Sequence, residues 1–346
     1  MGWRRKRQGI EMLQKIYSKF IDQKSKEIFK SRLLFSLTGD YSEICKIVSG
    51  TDQAAEIRHK ISFSKDRHVF LWGTGFWGDH LIKSFPDIKW QGYVDNSPRE
   101  SQKNGMPVYD PQEFLKIYSG QPIFIATAFY HEEIHHQLLS YGIGEDKIIN
   151  AGKLMVDLFD SQYFDLPFLP HAEDEVFVDA GCFDGLTVRN FIKWSGGKYR
   201  EIISFEPDAV CLEKCRAVLK DVENLTLENM GLWSSKGVLS FHATGNSDSQ
   251  IAEEGETRIT TGMLDEIAGD RRITFIKMDI EGAEKEALMG AQNIIRNQKP
   301  KLAISIYHKK EDIWELPALL LEMNPEYQFY LRHYSLREAE TVLYAV

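Results

Sequence analysis

Two stretches of this chain combine glycine and carboxylate at spacings that bring backbone close to a nucleotide-like ligand. The first in importance, VDAGCFDGLT (Val178 to Thr187), leaves an apolar run through Gly181 and Gly185 and enters an amphipathic one. Its acidic partner is Glu206, in SFEPD at the end of the next apolar run. A strand that turns on glycines into a helix offers free backbone N–H groups, and a carboxylate one strand away offers two acceptor oxygens to ribose hydroxyls. The earlier stretch, Gly73-Thr74-Gly75-Phe76-Trp77-Gly78, spells the dinucleotide fingerprint more literally, with Asp95 standing about 20 residues on, where a ribose-binding acid belongs. Read by itself it suggests a nucleotide, a nucleotide-sugar or NAD. Its segment covers only about 85 residues, little more than one mononucleotide-binding half. No Tyr-x-x-x-Lys accompanies it for short-chain dehydrogenase chemistry.

The elements that must carry these loops follow from the apolar pattern. With 346 residues, 43% hydrophobic and 27% charged, the chain is globular and long enough for two cores. A formal charge of −9 argues against nucleic acid as an electrostatic partner. Four cysteines without CxxC spacing point to a reduced, cytoplasmic protein, and no apolar run is long enough to span a bilayer. Residues 1–62 read as helices, with Ile10, Leu13, Ile16, Tyr17 and Phe20 at helical spacing behind Arg4, Arg5, Lys6 and Arg7. A helical cap is the expectation, and membrane-surface contact the alternative. Residues 63–152 alternate short apolar runs (HVFLWG, WQGYVDN, PIFIAT, KIINAG) with helical stretches, as a small Rossmann-like α/β domain does. A link over 153–175 contains QYFDLPFLPHAEDE. From 176 to 346 the runs EVFVDAG, EIISFEP, LTLENMG, ITFIKMDI and KLAISIYH predict a doubly wound sheet. QFYLRHYS and ETVLYAV close it as an antiparallel pair, and irregular structure is expected around GVLSFHAT, GNSDSQIAEEGE and TRITTGML.

The words VDAGCFDGLT, SFEPD, FIKMDIEGAEKEAL and the closing IYH, YLRHYS and ETVLYA, in that order, resemble the FkbM-type S-adenosylmethionine-dependent methyltransferases. The resemblance covers nearly all of 176–346. It implies an α/β, Rossmann-like fold with a seven-stranded, mostly parallel sheet, S-adenosylmethionine as donor, and methylation of a hydroxyl oxygen on a small molecule, saccharide or glycan precursor. The family's commoner form has Ala-Asn where this chain has Cys182 and Phe183.

Under that resemblance the roles distribute along the strand ends. Methyl transfer is an in-line displacement that asks mainly for an acceptor oxygen held about 3 Å from the sulfonium methyl. Asp179, Gly181, Cys182, Phe183, Asp184, Gly185 and Thr187 form the donor loop, Glu206 takes the ribose, and Asn229 and Met230 meet the adenine. Asp279 and Glu281 face the donor's ammonium and the acceptor; their residue types would also suit a divalent ion, but no metal is assigned. His308 is the first candidate for general base and His333 the second, with Arg332 as a clamp for an acidic acceptor. His242 is a weaker candidate. His131-Glu132-Glu133-Ile134-His135 spells HExxH, but no third ligand has the expected context, and zinc is not expected. Gly73, Gly75, Gly78 and Asp95 remain a second ligand loop. Two other readings stay open: an oxidoreductase built on the first domain, and a non-catalytic scaffold. The polar segment from Gly245 to Glu256 is the expected acceptor-contacting loop.

Overall fold

The computed structural model describes all residues except Met1, 63–67, Phe168, Pro170, Ser247, Asp248 and Glu253, and of residues 2–8 only the backbone. The expected domain start at residue 63 and the side chains of Arg4 to Arg7 therefore lie outside the described residues. By compactness the chain divides into two units, one of residues 37–162 with 333–339, the other of residues 1–36, 163–332 and 340–346.

The first unit is built on β1 (His68–Trp72), β2 (Lys89–Val94), β3 (Gln102–Lys103), β4 (Met106–Tyr109), β5 (Ile123–Ile125) and β6 (Ile148–Ile149), in the order β3-β4-β2-β1-β5-β6. All pairings are parallel except β3 with β4. The central strands, HVFLW and IFI, are continuous apolar runs, as strands covered on both faces must be. The order in which strands are added switches sense between β1 and β5, so the carboxyl ends of these two parallel strands frame a crevice.

The second unit holds β7 (Val176–Ala180), β8 (Glu201–Phe205), β9 (Leu225–Glu228), β10 (Gly231–Leu232), β11 (Gly237–His242), β12 (Gln250–Ile251), β13 (Thr257–Gly262), β14 (Phe275–Met278), β15 (Lys301–Ser305), β16 (Phe329–His333) and β17 (Thr341–Ala345). Seven of them form one sheet in the order β16-β17-β15-β14-β7-β8-β9. The five from β9 to β15 run parallel, β17 lies antiparallel to β15, and reciprocal bonds between Gln328 and Val346 tie β16 to β17. Where irregular structure was expected, β10, β13, β11 and β12 instead make a separate four-stranded sheet, with β11 and β13 antiparallel from Gly237↔Thr261 to Phe241↔Thr257. Only one face of that pair is covered: Phe241, Ile259 and Thr261 are buried while Val238, Arg258 and Thr260 are exposed, which is why its apolar content is too low to read as a strand.

The N-terminal helix Gly2–Lys19 packs against helix Asp312–Met323. Ile16 and Phe20 are buried, Phe20 bridges to Phe329, and Ser25 Oγ accepts from the N–H of Leu331 at 2.8 Å. The apolar face that sequence left available to a membrane surface thus serves the core at these positions, although Ile10 remains exposed. Among the described residues no helix is long and apolar enough to cross a membrane. Arg332, expected as an acceptor clamp, is committed elsewhere: its guanidinium lies 2.6 Å from Asp22.

The Phe20 ring lies 5.0 Å from Phe29 and 5.9 Å from Phe329. Phe20→Ala is expected to lower unfolding free energy by about 3–5 kcal/mol, measured by denaturant titration. A loss under about 1 kcal/mol would mean the helix is not part of this core.

Candidate functional site

The site begins with a lysine in an apolar strand. Lys277 of β14 is the register partner of Asp179 on β7, and their side chains, 3% and 0% exposed, meet at 3.1 Å. A buried charge is tolerated only with a partner and further hydrogen bonds. Lys277 has them: its ammonium also donates to the carbonyls of Ala180, at 3.3 Å, and Gly181, at 2.6 Å. Burial pushes the Asp179 carboxyl up and Lys277 only partly offsets this. For Lys277 burial acts downward, but Asp179 and Asp279 outweigh it and hold the lysine above its usual range. Asp179 therefore supports the loop from below and does not line the cavity.

Above this pair the chain turns at Gly181, with φ +80°, where an added Cβ would lie 1.9 Å from the backbone oxygen of Asp279. Only glycine lets the loops after β7 and β14 touch. Phe183 follows in the same left-handed region, φ 48°, and donates its N–H to Glu206 Oε2 at 2.9 Å. Asp184 accepts from the N–H of Leu186 at the start of helix Leu186–Trp194, and Gly185 packs on Leu219. Thr187 is the second residue of that helix, and Cys182 is buried against Cys215 with sulfurs 3.2 Å apart.

Gly181, Phe183, Glu206, Met230, Asp279 and Glu281 come together around one cavity of about 620 Å³, counting its open mouth. Phe241, Ile251 and Ile259 of the small sheet supply apolar walls, and Asn246 and Ser249 represent the polar loop. That loop is pinned: Asp208 accepts from the N–H of Gly245 and from Ser249 Oγ. Cys182, Asp184, Gly185, Thr187 and Asn229 are not among the lining residues. Asn229 donates to the carbonyls of Glu206 and Pro207, so it shapes the end of β8.

Glu206 is nearly buried, and both oxygens accept backbone N–H groups, from Phe183 and Asp208. Burial nevertheless dominates, and its carboxyl is pushed up to about 7. Each oxygen keeps a second acceptor direction.

Asp279, at the end of β14, accepts from Tyr163 at 2.7 Å and from Tyr307 at 3.4 Å. Both phenols are held well above their usual range by burial first and by Asp279 and Glu340 second, so they remain donors. His308 stands beside them, with Nε2 3.3 Å from both Asp279 Oδ1 and Glu281 Oε2, and Nδ1 3.0 Å from Glu284 Oε1. Burial pushes this imidazole down, but the carboxylates of Glu281, Glu284 and Asp279 outweigh it and keep it well above the ordinary histidine value. At neutral pH His308 is a cation among anions and has no lone pair to offer a proton. His333 ends β16, does not line the cavity, and belongs by compactness to the other unit. His242 ends β11, exposed, and does not line it either.

The first unit has its own crevice, about 890 Å³ counting open space, lined by Gly73, Thr74, Gly75, Asp95 and Tyr130 among others. Gly78 sits beneath it, where a Cβ would clash with the Gly73 oxygen at 2.8 Å. Asp95 is occupied: Oδ2 accepts the N–H and hydroxyl of Thr74, and Oδ1 accepts the N–H of Ser97. The two histidines of HExxH go separate ways, His135 to Glu145 at 2.8 Å and His131 to Asn150 at 3.3 Å.

Sequence reasoning missed Lys277, Tyr163, Tyr307 and Glu284. Only the first carried a readable signal, since a lysine in a covered strand demands a carboxylate at matching register.

Residues 179–334 match the family described as Methyltransferase FkbM domain, and residues 65–149 match C2185-like, N-terminal. The 2-O-methyltransferase NoeI of Sinorhizobium fredii is 24% identical over 146 residues, covering 35% of this chain and 59% of that protein. This chain therefore aligns with less than two thirds of that relative's length. The crystal structure of Methyltransferase FkbM from Methylobacillus flagellatus KT is similar with a TM-score of 0.53 at 20% identity, covering 89% of this chain and 99% of that one. At that identity the likeness is one of fold.

Lys277→Met strands Asp179 in the core and is expected to cost about 3–5 kcal/mol of stability. Adding Asp179→Asn should recover at least about 1 kcal/mol in a double-mutant cycle, because the unpaired charge is gone. Additive losses would show that the two residues do not act as a pair.

Proposed function

Because residues 179–334 form an FkbM methyltransferase domain, we propose that the chain moves the methyl group of S-adenosylmethionine to a hydroxyl oxygen of a small molecule, saccharide or glycan precursor. The observation that carries this reading is the convergence of Gly181, Glu206, Met230 and Asp279, from four strand ends, on one cavity. Glu206 receives the ribose hydroxyls on its two remaining acceptor directions, Gly181 and Phe183 bring backbone to the methionine portion, and Met230 with the apolar walls covers the adenine.

Asp279 stands where the acceptor enters, with His308 packed beside it. Asp279, oriented by the hydroxyls of Tyr163 and Tyr307, aligns the acceptor hydroxyl; the catalytic contribution is chiefly alignment of that oxygen with the methyl carbon. A hydroxyl oxygen as acceptor is supported by the printed activity of the relative NoeI, a 2-O-methyltransferase. A polyhydroxylated acceptor is supported by the rim, where Asn246, Ser249 and Glu281 offer amide, hydroxyl and carboxylate groups. For the crevice of the first unit, a nucleotide or nucleotide-sugar at Gly73, Gly75 and Asp95 remains part of the proposal. There Asp95 must give up the Thr74 hydroxyl to accept a ribose.

Calorimetric titration with S-adenosylmethionine should give one site per chain, and Glu206→Ala should weaken it by at least about tenfold. No binding to the folded protein would end the methyltransferase reading.

The raised carboxyl also sets a pH dependence. Below about 7 the unliganded Glu206 is protonated, and its ionisation costs stability as pH rises through that value. Ribose hydroxyls donate to the ionised form. Donor affinity should therefore rise about tenfold from pH 6 to pH 8 and flatten in Glu206→Gln. Equal slopes in both proteins would assign the titration to another group.

A further inference from the structure

We propose that the cluster beside the donor cavity is a divalent-cation site, with Asp279, Glu284 and His308 as protein ligands. One ligand atom from each lies within 4.8 Å of the others, close enough for a single ion to reach all three. Glu281 adds a carboxylate oxygen 3.3 Å from His308 Nε2. Three carboxyl groups thus surround one imidazole.

An independent observation points to a missing ligand. Glu284 is 1% exposed; its Oε1 accepts from the N–H of Ile280 at 3.0 Å, but its Oε2 is buried with no hydrogen-bond partner. A carboxylate oxygen removed from water and given nothing in return is costly, and a cation at the shared point satisfies it. The supporting contacts are those of a built site. Tyr163 and Tyr307 fix the orientation of Asp279, and the Ile280 N–H fixes that of Glu284, as outer partners do for metal ligands.

Two carboxylates with one imidazole, leaving open positions toward solvent, suit an ion of the Mn²⁺ or Mg²⁺ type. Asp279 and Glu281 also line the donor cavity, so an ion held by Asp279 would lie beside the place proposed for the acceptor hydroxyl. There it would bind the hydroxyl oxygen as a Lewis acid and ease loss of its proton to solvent. The binding site stands on the cluster alone, while this role rests on the methyltransferase reading.

The test uses the full chain, stripped with chelator and titrated with Mn²⁺ alone while paramagnetic resonance reports the free ion. One Mn²⁺ per chain is expected, with affinity falling at least about tenfold in Glu284→Gln and in Asp279→Asn. Asp279 is partly exposed, so its variant should stay folded if the more buried one does not; circular dichroism checks both. Mn²⁺ left entirely free up to about 1 mM would overturn the proposal, as would folded variants that bind like the parent. A parallel S-adenosylmethionine titration separates the two readings: donor binding without Mn²⁺ binding removes the metal site alone, and the reverse removes the donor reading alone.

Discussion

A single buried ammonium holds the site in shape. Lys277 neutralises Asp179 within the sheet and ties down the carbonyls of Ala180 and Gly181. The turn it anchors is the one at which Gly181 lies against the Asp279 backbone, so the loops after β7 and β14 form one wall. From this contact follow the direction of Phe183, the hydrogen bond that orients Glu206, and the height at which Asp279 stands in the cavity. An uncharged pair of similar volume would make as stable a sheet, but it would have nothing to grip the loop carbonyls with.

The cavity is divided by electrostatics. On the β8 side a single carboxylate, Glu206, is kept poor in charge by burial. On the β14 side Asp279, Glu281 and Glu284 crowd one imidazole. In the proposed reading a sulfonium donor would lie between these two regions, its hydroxyls toward Glu206 and its cationic part toward the carboxylates of the β14 side. Apolar walls from the small sheet strengthen both interactions by keeping water out.

Much of this was legible in the sequence. The apolar runs announced the inner strands of the large sheet because strands covered on both faces cannot hide their composition, and VDAGCFDGLT with SFEPD supply residues that line the cavity. Other parts were not legible, for identifiable reasons. The β11 and β13 pair has one bare face and reads as loop. Tyr163 comes from the segment QYFDLPFLP, in a left-handed conformation that no periodicity signals, and reaches a residue 116 positions away. Asp179 and Asn229 stand at strand ends, which also need internal partners: Asp179 meets Lys277, and Asn229 gives its amide N–H to backbone carbonyls. His308 was read as a base from its position alone; burial lowers its pKa, but three neighbouring acids, Glu281, Glu284 and Asp279, raise it.

The stitching of Phe20, Asp22 and Ser25 to β16 has a bearing on how the molecule is made. Ser25 and Leu331 are separated by 306 positions, so the N-terminal helices leave the ribosome long before the strand they cover exists. At about 5–20 residues per second that interval is roughly 15–60 s. Through it Phe20 has Phe29 but not Phe329 to pack against, while the residues between, including the 37–162 part of the first unit, are already made. Closure of the second unit thus waits until β16 has been made, and until then its N-terminal helices keep part of their apolar face uncovered.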